Sequence, residues 1–149
     1  MSAHPQAKFH DTATGGLGQA LYFKSGADTL FGWLHRPSTP SNANLSLVIC
    51  NPFGYEAMCA HRSVRAFAEA ASELGIPALR FDYLGTGDSA DIEPHADHLE
   101  IWTLDVLAAI AELQRSTGVQ QVCLLGIRFG GLRATLASKR CAAVTSLVL

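Results

Sequence analysis

The residues best placed for chemistry form a glycine-rich segment, Gly126-Ile127-Arg128-Phe129-Gly130-Gly131, that directly follows an apolar run. A strand that turns sharply into a helix holds its central residue in a strained conformation and exposes that side chain. Such a turn requires tiny residues two positions before and two positions after its centre, and Gly126 and Gly130 meet this requirement. The spacing therefore predicts an elbow centred on Arg128.

Arg128 limits the chemistry that this elbow could perform. A guanidinium has no lone pair to offer and stays protonated at physiological pH, so it cannot attack a carbonyl. A cation at a helix N-terminus is disfavoured by roughly 0.3–1 kcal/mol, so we expect an anion to share the site. One candidate is Glu56 on the facing loop, paired with Arg128 in a bidentate fork, which we favour; the other is a ligand carboxylate or phosphate.

Three further side chains could act as nucleophiles or bases. Cys59 and His61 share a loop and could form a thiol–imidazole dyad, although side chains at this spacing seldom face each other. Ser89 has no evident base beside it, so we expect it to cap the segment that follows its turn. Asp82 and Asp88 are expected to fix the same turn by accepting hydrogen bonds from backbone N–H groups.

Alternating strands and helices are predicted to position these residues. The expected strands are Ala20–Phe23, Phe31–His35, Leu45–Cys50, Pro77–Phe81, Gln121–Leu125 and Val144–Leu149, and the expected helices are His61–Leu74, Asp97 to about Ser116, and Gly131–Arg140. Asp97 and Glu100 form a capping box, and Gly118 closes the helix. The pattern predicts an α/β fold with a mostly parallel sheet, helices on both faces and a leading antiparallel hairpin.

The domain organisation is expected to be simple. Residues 1–18 are polar and read as a flexible lead-in, and residues 19–149 form one partial domain. No element follows the strand Val144–Leu149, so we expect an open apolar edge, either because C-terminal strands are missing or because another chain completes the sheet. Self-association through this edge is the corresponding expectation.

Composition excludes several classes of function. A net charge of −2 without a basic run argues against nucleic acid and membrane surfaces as partners. The four cysteines have no metal-ligand spacing, and we expect no metal and no cofactor. Neither a secretory signal nor an apolar run of about 20 residues is evident, which favours a cytoplasmic protein. The ligand expected from Arg128 is a small, anionic molecule.

Three motifs together resemble the α/β-hydrolase family, from about Ala20 to the end of the chain. They are Asn51-Pro52-Phe53-Gly54-Tyr55-Glu56 after a buried strand, the turn Asp82-Tyr83-Leu84-Gly85-Thr86-Gly87-Asp88-Ser89, and the elbow. The turn resembles the D-x-x-G-x-G-x-S pattern of esterase and serine aminopeptidase-like members. The segment is also similar to bacterial predicted hydrolases, some associated with exopolysaccharide export and exosortase systems.

The resemblance implies roles for residues at matching positions. The N–H groups of Phe53 and Phe129 would be the oxyanion donors, and Gly54 and Glu56 would lie against the substrate. Arg128 stands at the nucleophile position, all six histidines precede it, and no Asp or Glu follows it. The family triad is therefore incomplete in this chain. The resemblance implies hydrolysis of ester, thioester or amide bonds; the alternatives are a non-catalytic relative that binds an anion or a protein partner, and an incomplete segment of a longer protein.

Overall fold

The structure, a computed structural model, describes residues 8–10, 17–39, 42 and 44–149. Its strands are β1 (Lys8–His10), β2 (Leu17–Ser25), β3 (Asp28–Arg36), β4 (Leu45–Cys50), β5 (Ala78–Phe81), β6 (Gln121–Gly126) and β7 (Val144–Val148). Its helices are α1 (Tyr55–Glu73), α2 (His98–Thr117) and α3 (Phe129–Ser138). Most of the expected flexible lead-in, residues 1–18, lies outside the described ranges. The part of the lead-in that the structure describes forms β1 and the first two residues of β2.

One sheet contains all of these strands, in the order β1-β2-β3-β5-β4-β6-β7. Strands β5, β4, β6 and β7 are parallel to one another, and β1, β2 and β3 join them by antiparallel pairing. The turn between β2 and β3 contains Gly26 at a φ of 59°, a conformation that glycine adopts without a steric penalty. The predicted α/β fold with a leading antiparallel hairpin is confirmed.

The central strand β4 is buried on both faces, as its apolar run Leu47–Cys50 predicts. Val48 and Cys50 belong to the core on the side of α2 and α3, whereas Leu47 and Ile49 belong to the core on the side of α1. Helices therefore cover both faces of the sheet, as expected. This arrangement leaves the carboxyl ends of the parallel strands open at one edge.

Helix α2 begins and ends where its capping residues predict. The Asp97 carboxylate accepts a hydrogen bond from the Glu100 N–H at 3.1 Å, and Gly118 adopts a φ of 76° at the C-terminus. The Glu100 carboxylate pairs with Arg140 at 2.7 Å instead of returning to Asp97, so the predicted capping box is only half formed. Helix α1 differs from its prediction, because it begins at Tyr55 rather than at His61. The reason is Gly54, whose φ of 60° lets the chain leave β4 and enter the helix at once.

The buried face of α1 is narrower than the spacing of its apolar residues suggests. Val64, Ala68 and Ala71 are buried against the sheet, but Phe67 and Leu74, at matching helical positions, are exposed. The helix packs on the sheet through a narrow line of small side chains, which leaves the two larger residues outside the contact.

Strand β7 lies at one edge of the sheet, paired with β6 on one side. Leu147, Val148 and Leu149 are exposed there, and self-association through this edge stays a prediction. Within the described ranges, neither long helix is apolar enough to cross a membrane.

Candidate functional site

The elbow is formed as its glycines predict. Arg128, between β6 and α3, has φ 57° and ψ −119°, and among the described residues it is the one non-glycine residue with a positive φ. A Cβ atom on Gly126 would lie 2.5 Å from the Gly131 Cα, and one on Gly130 would overlap the carbonyl oxygen of Cys50. Both glycines are therefore required by the close approach of β6, α3 and β4.

Helix α3 begins two residues earlier than predicted, at Phe129 instead of Gly131. The N–H groups of Gly130 and Gly131 donate to the carbonyls of Ile127 and Arg128, each at 2.9 Å, so the elbow itself forms the first helical turn. The Phe129 N–H belongs to the first turn, where N–H groups lack an intrahelical acceptor. It is therefore oriented toward the open end of α3.

The loop with the other expected donor lies beside the elbow. Cys50 and Gly126 are paired in the parallel ladder between β4 and β6, so the segments that follow them leave the sheet side by side. The Asn51 amide anchors this loop by donating to the Phe81 carbonyl at 2.8 Å. The structure thus brings Phe53 and Phe129 to the same edge of the sheet.

Glu56 and Arg128 meet, as expected, in an exposed ion pair. Arg128 Nε lies 3.4 Å from Glu56 Oε1, and the two side chains are 72% and 48% exposed. A bidentate guanidinium–carboxylate pair has contacts of about 2.7–2.9 Å, so the expected tight fork is not formed. Glu56 lies in the first turn of α1 rather than on a loop, which sets its distance from the elbow. Exposed pairs of this kind contribute little to stability, roughly 0–1 kcal/mol.

Hydrogen bonds between side chains and backbone groups hold the turn that follows β5. The Asp82 carboxylate accepts a hydrogen bond from the Asp88 N–H at 3.0 Å, and a Cβ on Gly87 would overlap that carboxylate. Ser89 Oγ donates to the Asp82 carbonyl at 2.6 Å and accepts from the Phe31 N–H at 2.9 Å. Ser89 therefore ties this turn to β3 instead of capping the segment that follows it, and Asp88 contributes its backbone N–H rather than its carboxylate, so the structure differs from these two predictions.

Gly85 and the carboxyl group of Asp82 also belong to this turn. Gly85 has a φ of 77°, and a Cβ there would overlap Ile92. Burial is the largest influence on the Asp82 carboxyl group and raises its pKa. The turn is thus a compact, partly buried unit beside the loop that follows β4, and its Ser89 is used in hydrogen bonds that hold the turn.

The structure does not bring Cys59 and His61 together. Both are exposed on α1, and residues two positions apart on a helix do not face each other. Cys50 ends β4 opposite Gly126 in the parallel ladder, but burial raises the pKa of its thiol to about 12. Among the described residues, no group of three or more His, Cys, Asp or Glu side chains could hold a metal ion.

Arg133 is the main residue that the sequence analysis missed. It is fully buried in α3, and its guanidinium carbon lies 4.2, 4.4 and 4.5 Å from the ring centroids of Tyr83, Trp102 and Phe129. Its Nη1 donates to the Asn51 carbonyl at 3.4 Å. The available signal was its position as the one charged residue of α3, whose other residues are apolar or small polar.

A cavity of about 670 Å³ opens next to the loop that follows β4, between α1, the middle of β3 and the end of β5. Aromatic and apolar side chains form much of its wall, together with a few polar groups. The wall includes Phe31, Trp33, Phe53, Met58, Arg80 and Asp82. This volume is in the range of small-molecule sites, but no residue of the elbow lines the cavity, so it lies on the β5 side of the β4 loop and is separate from Arg128.

Solved structures resemble this chain over most of its length. A hypothetical protein from Pseudomonas aeruginosa matches with a TM-score of 0.77 and 24% identity, over 93% of this chain and 43% of its own. An alpha-beta serine hydrolase homologue from Coxiella burnetii matches with a TM-score of 0.69 and 19% identity, over 86% and 60%. The Pyrococcus furiosus esterase Pf2001 matches with a TM-score of 0.71 and 15% identity, over 87% and 47%.

These likenesses concern the fold, since the identities lie below 25%. The chain spans between 43% and 60% of the length of the three structures. No family model matches the sequence, and the search of curated proteins found no match. The strand order, the elbow between β6 and α3 and these neighbours agree, and the chain has the α/β-hydrolase fold.

Proposed function

We propose that this chain uses the α/β-hydrolase scaffold to bind a small carboxylate or phosphate at the elbow, as a non-catalytic relative of the hydrolases. The observation that supports this most directly is Arg128 itself. It occupies the strained centre of the elbow at φ 57°, where a nucleophile would stand, yet it carries a cation. A fixed positive charge at this point favours an anion.

The surrounding N–H groups and the helix terminus add to that positive charge. The N–H groups of Phe53 and Phe129 lie at the same edge of the sheet, and the ten-residue helix α3 adds the positive end of its dipole. Glu56 holds Arg128 only through an exposed contact of 3.4 Å. Because such a contact is weak, a ligand anion can replace it at little cost.

Removing the guanidinium tests this proposal. We expect Arg128→Ala to weaken the binding of inorganic phosphate about tenfold or more, because a charge-assisted hydrogen bond is lost. Glu56→Gln should strengthen binding, since it removes the competing carboxylate. Isothermal titration with phosphate and with acetate measures both effects.

Arg62→Ala is the matched control, because it removes the same charge from an exposed position on α1. Its phosphate affinity should stay close to that of the wild type. Equal affinities of the wild type and Arg128→Ala would refute the proposal, as would a wild type that binds neither anion.

Hydrolysis of ester, thioester or amide bonds is the second candidate function. It is favoured by the intact elbow backbone and by the neighbouring N–H groups of the β4 loop, which are the parts that stabilise an oxyanion in acyl transfer. Turnover of a short-chain aryl ester that survives Arg128→Ala would support this candidate. Absence of turnover together with saturable phosphate binding favours the anion-binding function.

Self-association through β7 is a separate part of the proposed function. Leu147 and Val148 are exposed on this edge strand and offer an apolar contact. Sizing over a range of dilutions checks self-association, and a strict monomer at every concentration would exclude it.

A further inference from the structure

Arg133 is a fully buried cation behind the elbow, and its position calls for a physical reason. Its side chain is 0% exposed, and its Nε and Nη2 atoms have no hydrogen-bond partner among the described residues. Placing a charge in the interior costs several kcal/mol per ion in proteins unless it is compensated. No ion pair of Arg133 is found in the described part of the chain, so its compensation comes from other contacts.

Those contacts are aromatic. The guanidinium carbon lies within 4.5 Å of three ring centroids, those of Tyr83, Trp102 and Phe129. The planar guanidinium stacks on aromatic faces and is attracted by the negative charge of each ring face. Arg133 therefore joins Tyr83 in the turn after β5, helix α2 and the first residue of α3 in one packed group.

The same group reaches the loop that follows β4. The Phe53 ring packs on Trp102 with centroids 5.2 Å apart, and Arg133 Nη1 donates to the Asn51 carbonyl at 3.4 Å. The stack thus runs from Phe53 through Trp102 and Arg133 to Phe129. Its two ends are the residues whose backbone N–H groups flank the elbow.

We propose that Arg133 is a positioning residue that fixes the N–H groups of Phe53 and Phe129 relative to each other, through the stack Phe53–Trp102–Arg133–Phe129 and its bond to Asn51. This inference rests on the proposed anion-binding function for its consequence, since two donors must converge on one anion. Arg133 does not touch the anion. It sets the spacing of the groups that do, and its buried charge adds to the positive potential of the site.

The test combines a structural readout with a binding readout. In Arg133→Met, which keeps the length of the side chain but removes its charge, we expect the amide resonances of Phe53 and Phe129 to shift together. We also expect phosphate affinity to fall about tenfold, the effect of losing one hydrogen bond to a charged group, because the two N–H donors would no longer converge on one anion. Arg133→Lys keeps the charge and should recover part of that affinity. Two-dimensional ¹H–¹⁵N spectra and phosphate titrations provide both measurements.

Leu113→Ala is the control for a general loss of stability, because Leu113 is fully buried in α2 and belongs to the same core. It should lower the melting temperature and leave the two amide resonances in place. Unchanged Phe53 and Phe129 resonances in Arg133→Met would overturn the inference, and so would equal shifts in Leu113→Ala.

A second variant covers the case in which Arg133→Met fails to fold. Phe53→Leu cuts the stack at its exposed end, where the ring is 51% exposed. We expect it to shift the Arg133 Nε–H resonance and the Phe129 amide resonance, and no shift in either would overturn the inference. The amide readouts need no ligand, so a wild type that does not bind phosphate would refute the proposed function without deciding the role of Arg133.

Discussion

Replacing Gly130 by alanine is expected to destabilise the protein by about 3 kcal/mol or more, because the new methyl group has no space. Its Cβ would overlap the Cys50 carbonyl oxygen and would lie 2.6 Å from the Asn51 carbonyl oxygen. Both are backbone atoms at the end of β4, so neither can rotate away as a side chain would. Urea unfolding followed by circular dichroism measures the loss.

Gly131→Ala is the matched control, one residue further along the same helix. The nearest atom to its Cβ is Leu149 Cδ2 at 3.5 Å, which is an ordinary contact. Alanine in a helix is favoured over glycine by roughly 0.5–1 kcal/mol, so this variant should be as stable as the wild type or slightly more stable. If Gly130→Ala unfolded at the same urea concentration as Gly131→Ala, the close approach of α3 to β4 would be wrong.

Acid is expected to remove about 3 kcal/mol of stability through His35. His35 is 6% exposed on β3 and accepts a hydrogen bond from Arg80 Nε at 3.0 Å. Burial, followed by the nearby charge of Arg80, lowers the pKa of His35 from 6.5 to about 4. The unfolded chain therefore takes up a proton that the folded protein resists, and stability falls as the pH falls from 6.5 toward 4. Above pH 6.5 this contribution is fully present.

His35→Gln isolates this effect, because the glutamine carbonyl can still accept from Arg80 but does not titrate. Burial raises the pKa values of Asp82 and Asp105, so these groups act in the opposite direction and stabilise the folded protein as they protonate. The difference between wild type and His35→Gln removes their contribution. Parallel loss of stability in both proteins between pH 6.5 and 4 would contradict the role given to His35.

The Gly130 prediction concerns the scaffold and does not depend on the chemistry of the residue at the centre of the elbow. The elbow needs Gly126 and Gly130 because strand, helix and neighbouring strand approach closely there, whichever residue stands at its centre. Arg128 accepts the strained conformation, which costs of order 1–3 kcal/mol at such positions, without supplying a nucleophile. The proposed anion site gives that strained cation a role.

Features that depend on local sterics could be predicted from the sequence. The glycines of the elbow, the cap formed by Asp97 and the left-handed Gly118 all reflect requirements within a few residues of the chain. The apolar run of β4 likewise indicates a strand buried on both faces, because no polar residue interrupts its last positions. The ion pair of Glu56 and Arg128 could be anticipated, since both segments follow neighbouring parallel strands.

The helix boundaries and the buried polar contacts were decided by the tertiary structure. Helix α1 begins at Tyr55 because Gly54 can turn directly out of β4, so Glu56 and Cys59 are helical and not on a loop. Asp105 is buried because the Leu84 N–H and the Ser25 hydroxyl, both distant in sequence, donate to its carboxylate.

The contacts of Arg133 are the clearest case that only the tertiary structure decides. From the sequence one can tell only that a single cation stands in an otherwise uncharged helix, because nothing nearby in the chain identifies its partners. The rings and the carbonyl that receive it come from the ends of β4 and β5, from α2 and from the start of α3. A buried charge is tolerated only when such groups converge, and that convergence exists only once the sheet and its helices have packed together.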